Sequence, residues 1–259
     1  MIPAPTRYAR AKDLDHALEL LAEPDAKAIA GGQSLLPVMK LRIARPSVVV
    51  DISRLDLRGV EERGGAVHIG PLTTWADLAD ASLPRGLEAI PECAHGIGDV
   101  QVRNLGTIGG SVVHADPASD MPAVLLALGA RLELRSPDGE REASLEDVLV
   151  GPFTTSLGAQ ELVTDVIVPV PPTASGSAYA SVEHPASGFA LAGAAALVAP
   201  GTERIALTGV GASPCVVADG GIAAAAIYGD RFASEEYRRE LARVVADRAL
   251  TEAQARARA

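Results

Sequence analysis

The chain has few cysteines, and that scarcity is informative. There are two, Cys93 and Cys215, in 259 residues. Two thiols cannot supply the four ligands of an iron–sulfur cluster or a structural zinc ribbon. Nor do they make a secreted disulfide framework. Positive charge is also short. Lys and Arg number 23 against 33 Asp and Glu, a net charge of −10. A nucleic-acid surface or a polybasic membrane patch needs the opposite balance. The apolar runs are too short and too often broken by glycine to span a bilayer. Residues 1–10, MIPAPTRYAR, hold no apolar run of signal-peptide length and no twin arginine. The expectation is a cytoplasmic protein without membrane insertion. The five histidines show no H-x-x-H or H-E-x-x-H spacing, so no metal site is expected. Aromatics are scarce at 3 %, and Ala, Gly and Val dominate. Cys93, Cys215 and Trp75 read as core residues.

The pattern along the chain divides into three blocks. In residues 1–55, Asp13 is placed to cap a helix whose Leu14, Ala17, Leu18 and Leu21 share one face. Strands are predicted at 26–30 and 46–52. In residues 56–172, Val67 to Gly70 reads as a strand, and Thr73 or Thr74 as the cap of a helix through Leu78. Val112, Val113 and His114 read as an extended segment. Ser119 or Asp120 starts a helix with Met121, Val124, Leu125 and Leu128 on one face, and Gly129 stops it. Residues 131–135 and 162–170 read as strands. In residues 176–259, three strands are predicted at 177–182, 190–198 and 204–210. Ser234 then starts a helix with Tyr237, Leu241, Val244 and Val245 inward, and the Ala/Arg-rich tail from Thr251 is expected to fray.

Two glycine loops carry the chemical signal. Gly31, Gly32, Gln33, Ser34 and Leu35 follow a strand and precede a helical stretch. Adjacent glycines let backbone approach a ligand and turn N–H groups toward it, which suits phosphate oxygens. Thr107, Ile108, Gly109, Gly110 and Ser111 repeat the logic. Downstream lie His114, Ser119 and Asp120, and a carboxylate there can accept from ribose hydroxyls. Neither loop has the G-x-G-x-x-G pattern or a Walker lysine. Spacing alone points to a dinucleotide or diphosphate gripped from two sides.

At these residues the sequence becomes recognisable. AGGQSLLPVMKLR (30–42) and VRNLGTIGGSVVHADPASDMPAVLLALGA (102–130) closely resemble the FAD-binding, medium subunit of molybdenum hydroxylases, the family of aerobic carbon monoxide dehydrogenase and xanthine dehydrogenase. The resemblance continues through 177–196, 208–214 and 233–250. It implies an α+β fold: an FAD domain of the vanillyl-alcohol-oxidase (PCMH) type over 1–172, with subdomains at about 1–55 and 56–172, then a C-terminal domain over 176–259 with a three-stranded antiparallel sheet. It places the pyrophosphate of FAD on Gly31, Gly32, Gln33, Ser34 and Leu35 and on Thr107, Ile108, Gly109, Gly110 and Ser111. It gives Asp120 to the ribose region, and His114 and Ser119 to the cofactor lining. Leu162 and Val163 fall near the isoalloxazine, and Tyr179 matches an aromatic that can lie over it.

The resemblance implies an oxidoreductase subunit with no catalytic base of its own. Electrons would come from [2Fe–2S] clusters in a small partner subunit, with a molybdopterin centre in a large one, in a heterotrimer or a dimer of heterotrimers. Two departures stand out. Ala180 and Ser181 follow Tyr179 where many members carry a lysine. The stretch from Val216 to Asp230 is compressed where relatives usually carry another helix. Two other readings stay open: a free-standing FAD-dependent oxidase with its own small substrate, and a nucleotide-binding module without redox chemistry.

Overall fold

A computed structural model describes residues 2–218 and 221–259. The first stretch runs β1 (Arg7–Arg10), α1 (Leu14–Leu21), β2 (Lys27–Ile29), α2 (Leu35–Lys40) and β3 (Val48–Asp51). The middle stretch runs β4 (Val60–Arg63), β5 (Ala66–Ile69), α3 (Trp75–Ala79), α4 (Ala89–Gly96), α5 (Val100–Arg103), α6 (Ile108–His114) and α7 (Asp120–Ala127). It continues through β6 (Arg131–Ser136), β7 (Gly139–Ser144), α8 (Leu145–Val148), β8 (Leu149–Gly151), β9 (Thr154–Thr155) and β10 (Leu162–Pro169). The last stretch runs β11 (Gly176–Glu183), β12 (Ala190–Ala199), β13 (Thr202–Thr208), β14 (Cys215–Val216), α9 (Gly221–Ala224) and α10 (Glu235–Arg258).

Three main sheets result. The first is parallel, in the order β1-β3-β2, with β3 buried throughout at its centre. The second is antiparallel, β4-β5-β10-β6-β7, and the third is antiparallel, β11-β12-β13-β14. The expected three strands of the last sheet thus gain a fourth, the two-residue β14. Among the described residues no helix is long and apolar enough to cross a membrane.

Local chemistry explains where elements start. Asp13 accepts from the His16 amide at 2.8 Å and begins α1. Thr74 and Asp77 cap each other's amides and begin α3. α7 is apolar all round, and Met121 through Ala127 are all buried. Such a helix must be surrounded. One side packs on α4, the other on β12 and β13. Period-two alternation splits β12 between two cores: Ala195 and Leu197 join the α7 side, whereas Ala192, Ala194 and Ala196 join α10 on the opposite face.

Three local expectations change. Val112, Val113 and His114 are helical, the end of α6, because Thr107 caps that helix and Val112 is fully buried by it. Burial overrides the β preference of paired valines. In α10 the inward residues are Arg238, Ala242, Val245, Ala246, Ala249 and Ala253, and Tyr237 is half exposed. The facing surface of β12 is alanine, so the closest approach belongs to small residues and larger ones move to the margin. The tail does not fray: helix continues to Arg258. Arg256 donates to the Ser177 carbonyl at 2.6 Å and pairs with Glu92 at 3.1 Å. Of the compressed stretch from Val216 to Asp230, residues 219 and 220 lie outside the described residues, and the single-turn α9 follows them.

Gly176 lets β11 touch α10 directly, since a Cβ there would lie 2.5 Å from the Ala253 carbonyl oxygen and 2.6 Å from Arg256 Cβ. Gly176→Ala is expected to cost about 1–3 kcal/mol of stability, read as a lower denaturation midpoint of cofactor-free protein. An unchanged midpoint would mean that α10 is free to move off β11.

Candidate functional site

The two glycine loops meet. Gly31 lies against the backbone that leads into the second loop: a Cβ on Gly31 would sit 1.7 Å from the Leu105 carbonyl oxygen and 3.1 Å from Gly106 Cα. Only glycine permits that approach. Gly32 has φ +70°, the left-handed conformation that turns the chain into α2. Among the described residues, no protein acceptor takes the amides of Gly32, Gln33, Ser34 or Leu35. The Ser34 side chain caps nothing. Four successive free N–H groups give this turn positive polarity.

The second loop is built differently. Its amides are already used: Ile108 donates to Thr73 O at 3.1 Å, Gly109 to Pro71 O at 2.9 Å, and Gly110 to Thr107 Oγ1 at 3.2 Å. Trp75 N donates to Gly106 O, and the indole fills the space beside Gly106. Residues 71–75, which sequence reasoning left outside the site, therefore hold this loop. Gly109 is forced by Pro71, whose Cβ would lie 2.4 Å from an added Cβ. Gly110 is exposed, and an added Cβ would meet only its own cap, Thr107 Oγ1, at 2.9 Å. Glycine there spares the Thr107 cap and leaves the outer face of the turn open.

Beyond α6 the chain turns through Ala115 (φ +51°) and is clamped by the third sheet. Thr208 Oγ1 donates to Ser119 O at 2.7 Å and Pro117 O at 3.0 Å, and Gly209 N donates to Pro117 O at 2.8 Å. Ser111 and Ser119 share a hydroxyl–hydroxyl bond of 2.7 Å, which ties the second loop to the start of α7. The His114 ring packs against Phe153, centroids 5.2 Å apart.

Other expected site residues sit deeper. Ile108 is core. Leu162 and Val163 are buried at the start of β10, one in the core under the first sheet and one in the main core. The Tyr179 hydroxyl donates to Asp120 Oδ1. Gly193 on β12 makes room for that hydroxyl, 2.3 Å from where its Cβ would be. Burial is the largest influence on Asp120 and pushes its carboxyl up to about 6. Glu183 and Asp116 push the same way, while the Tyr179 bond favours the ionised form. Burial, then the Asp120 charge, raises the Tyr179 phenol well above its ordinary value. The same two causes raise the Cys93 thiol.

Sequence reasoning also missed a buried cation. Arg238, 6 % exposed, donates to Leu191 O at 2.7 Å and to Gly209 O, and pairs with Asp230 at 2.7 Å. Its position in the helical repeat, four residues before Ala242, was the available signal.

The raised Asp120 value has a sign. A folded value near 6 against 3.8 for a free carboxyl means the native state holds this proton more tightly. The stability it contributes is complete below about pH 4 and lost as pH rises through about 6. Asp120→Asn should therefore gain on wild type across that window and level off above it, by roughly 1–3 kcal/mol. Denaturation of both cofactor-free proteins at several pH values reads this directly. A difference that ignores pH overturns the buried-acid assignment.

The chain is similar to known proteins. Residues 4–171 match the family described as the FAD binding domain in molybdopterin dehydrogenase. The chain is 41 % identical over 202 residues to the 6-hydroxypseudooxynicotine dehydrogenase complex subunit alpha of Paenarthrobacter nicotinovorans, covering 76 % of this chain and 68 % of that one. It is 39 % identical over 223 residues to the carbon monoxide dehydrogenase medium chain of Afipia carboxidovorans, covering 83 % and 77 %. Among solved structures, carbon monoxide dehydrogenase from Hydrogenophaga pseudoflava superposes with a TM-score of 0.92 at 34 % identity over 99 % of each chain. Fold, loops and relatives agree: the chain belongs to the FAD-binding medium subunits of the molybdenum hydroxylases, an oxidoreductase family.

Proposed function

We propose that this chain carries FAD as the electron-transfer subunit of a heterotrimeric molybdenum-containing hydroxylase or dehydrogenase. In this reading a small partner subunit supplies [2Fe–2S] clusters and a large one the molybdopterin centre. The FAD domain spans 1–172 and the C-terminal domain 176–259. The observation that carries the reading is the row of unpaired amides from Gly32 to Leu35, in a loop packed through Gly31 against the backbone that leads into the second loop.

The two loops take unequal shares. The first offers donors, so Gly32, Gln33, Ser34 and Leu35 hold pyrophosphate oxygens. The second offers a rigid wall, with Gly110 as clearance and the Thr107 and Ser111 hydroxyls as polar contacts. Ser119 and Asp120 border the ribose region. Tyr179 acts through Asp120: its hydroxyl is already committed, so it positions the start of α7. When bound, FAD supplies one- and two-electron transfer, and the protein supplies orientation and exclusion of water. Nothing in the site calls for a side-chain base.

Two experiments test this. Acid precipitation of the purified chain should release FAD into the supernatant, because neither loop holds a His or Cys to link a flavin. The isolated chain should oxidise no substrate until the two partner subunits are added. Robust turnover by the chain alone would replace this reading with a free-standing oxidase.

Glycine variants separate ligand clearance from packing. Gly110→Ala replaces a helical glycine, which by itself favours the helix by about 1 kcal/mol. The added Cβ crowds the Thr107 cap and offsets that gain, so cofactor-free stability should change by about 1 kcal/mol or less while FAD affinity falls tenfold or more. Gly31→Ala and Gly109→Ala push into backbone and should cost about 1–3 kcal/mol or more of cofactor-free stability. If Gly110→Ala binds FAD normally in fluorescence titration, the pyrophosphate does not pass that wall.

A further inference from the structure

The longest stretch without a carboxylate runs through the first cofactor loop and beyond it. Residues 26–50 hold no Asp or Glu, although the chain has 33, and they hold four cations, Lys27, Lys40, Arg42 and Arg45. The last three stand together at and just past the C-terminal end of α2, and all are exposed. Among the described residues none of the three pairs with a carboxylate. One nitrogen of each arginine is nevertheless fixed. Arg42 Nε donates to Ile2 O at 3.2 Å, and Arg45 Nε donates to Arg42 O at 3.1 Å.

The same segment is apolar without being covered. α2 reads Leu35-Leu36-Pro37-Val38-Met39-Lys40, and Met39 is its only buried residue. A helix that is apolar all round normally has partners on every side. Here Leu36 and Leu41 are exposed. Ile43 and Ile2, at 74 % and 80 %, are the two most exposed large apolar side chains among the described residues. The turn that ends α2 departs from its usual chemistry. Ile43 N donates to Val38 O and Arg42 N to Met39 O, both at 2.9 Å, the Schellman arrangement, with Arg42 at φ +58°. That position favours glycine, and the apolar residue after it normally folds back onto the helix. This turn puts an arginine in the strained place and leaves the isoleucine outside. Both choices disfavour the free chain and suit a surface that is covered on assembly.

We propose that α2 and the turn behind it form the docking surface for the small [2Fe–2S] subunit, whose matching face has an apolar centre rimmed by carboxylates. The proposal rests on the FAD-subunit reading. The acidic rim answers Lys40, Arg42 and Arg45, and the apolar centre covers Leu41 and Ile43. The electron donor is the partner that has to come close to FAD, and α2 grows directly out of the first cofactor loop at Leu35. Other occupants fit less well. The cofactor's phosphates belong at the N-terminal end of α2, and the cations are at the other end. A second copy meeting the same patch across a two-fold axis would set cation against cation. A membrane surface asks for about four to eight clustered cations, and anionic lipid repels a chain of charge −10.

The test uses the full chain and the small subunit, purified separately and then assembled. In the assembly, the amides of residues 38–45 should exchange hydrogen at least tenfold more slowly than in the chain alone. Arg42→Glu combined with Arg45→Glu reverses two charges on exposed side chains. It should weaken the small subunit tenfold or more in calorimetric titration and flatten the salt dependence of binding. Ile43→Asp should weaken it by a similar factor. Both variants should keep the wild-type denaturation midpoint, which separates lost docking from lost folding. Unchanged exchange over 38–45, or affinities of both variants within twofold of wild type, overturns the proposal. So does a dimer of the chain alone in sedimentation that Ile43→Asp dissolves, because the surface would then belong to a second copy. Binding of the chain to phosphatidylserine vesicles that the charge reversal abolishes overturns it too. If wild type binds no small subunit at all, the FAD-subunit reading falls with the proposal. If wild type and variants bind it equally, only the docking surface is wrong.

Discussion

The site depends on one contact between backbones. Gly31 rests on Leu105 and Gly106 with no room for a single added carbon. That contact sets the first loop against the start of the second, although the two belong to different sheets' connections. It also determines what each loop can offer. The first loop turns at Gly32 and leaves its amides unpaired. The second is locked by Pro71, Thr73 and Thr107, so its geometry is fixed before any ligand arrives. Free donors beside a fixed loop suit diphosphate binding, because little ordering remains to be done on binding.

Rigidity passes from the second loop into the rest of the molecule through α7. Ser119, at its start, is bonded to Ser111 on one side and to Thr208 on the other. Asp120 takes the Tyr179 hydroxyl, and β12 keeps Gly193 to let it through. The third sheet is thereby tied to the second loop, although it supplies no glycine loop. Its other face is sealed by α10, whose alanines meet the alanines of β12. The composition explains how close that packing is: small residues on both sides let helix and sheet approach, at the expense of large buried side chains.

The sequence marked both loops, the caps at Asp13 and Thr74, and most strands, because these rest on local chemistry that a short window contains. It did not mark what lies across the fold. Nothing near Pro71 announces that it forces Gly109 to be glycine. Nothing near Gly31 announces that Leu105 lies under it. The paired valines after Gly110 read as strand because their β preference is intrinsic, whereas the burial that makes them helical is tertiary. In α10 the pattern favoured large apolar residues as the inner face, but the partner surface is alanine, so alanine and the stem of Arg238 went inside. Asp120 and Tyr179 were each legible as polar residues near a cofactor. That they bind each other was not, because their segments are joined only by the packing of α7 on the third sheet.

The scarce aromatic residues complete the argument. In most interiors rings supply much of the buried area. Here the interior is built from Ala, Val and Leu, and six of the eight aromatic residues are at least half exposed, leaving only Trp75 and Tyr179 inside. Both inner ones serve the site: Trp75 backs Gly106, and Tyr179 holds Asp120. The outer ones are not scattered evenly, since Phe153 stands beside His114 at the end of α6 and three others share one cleft. An exposed ring forgoes the stabilisation that burial would give it. With the rings left outside, the interior rests on the close approach of small side chains, as where the alanines of β12 meet those of α10.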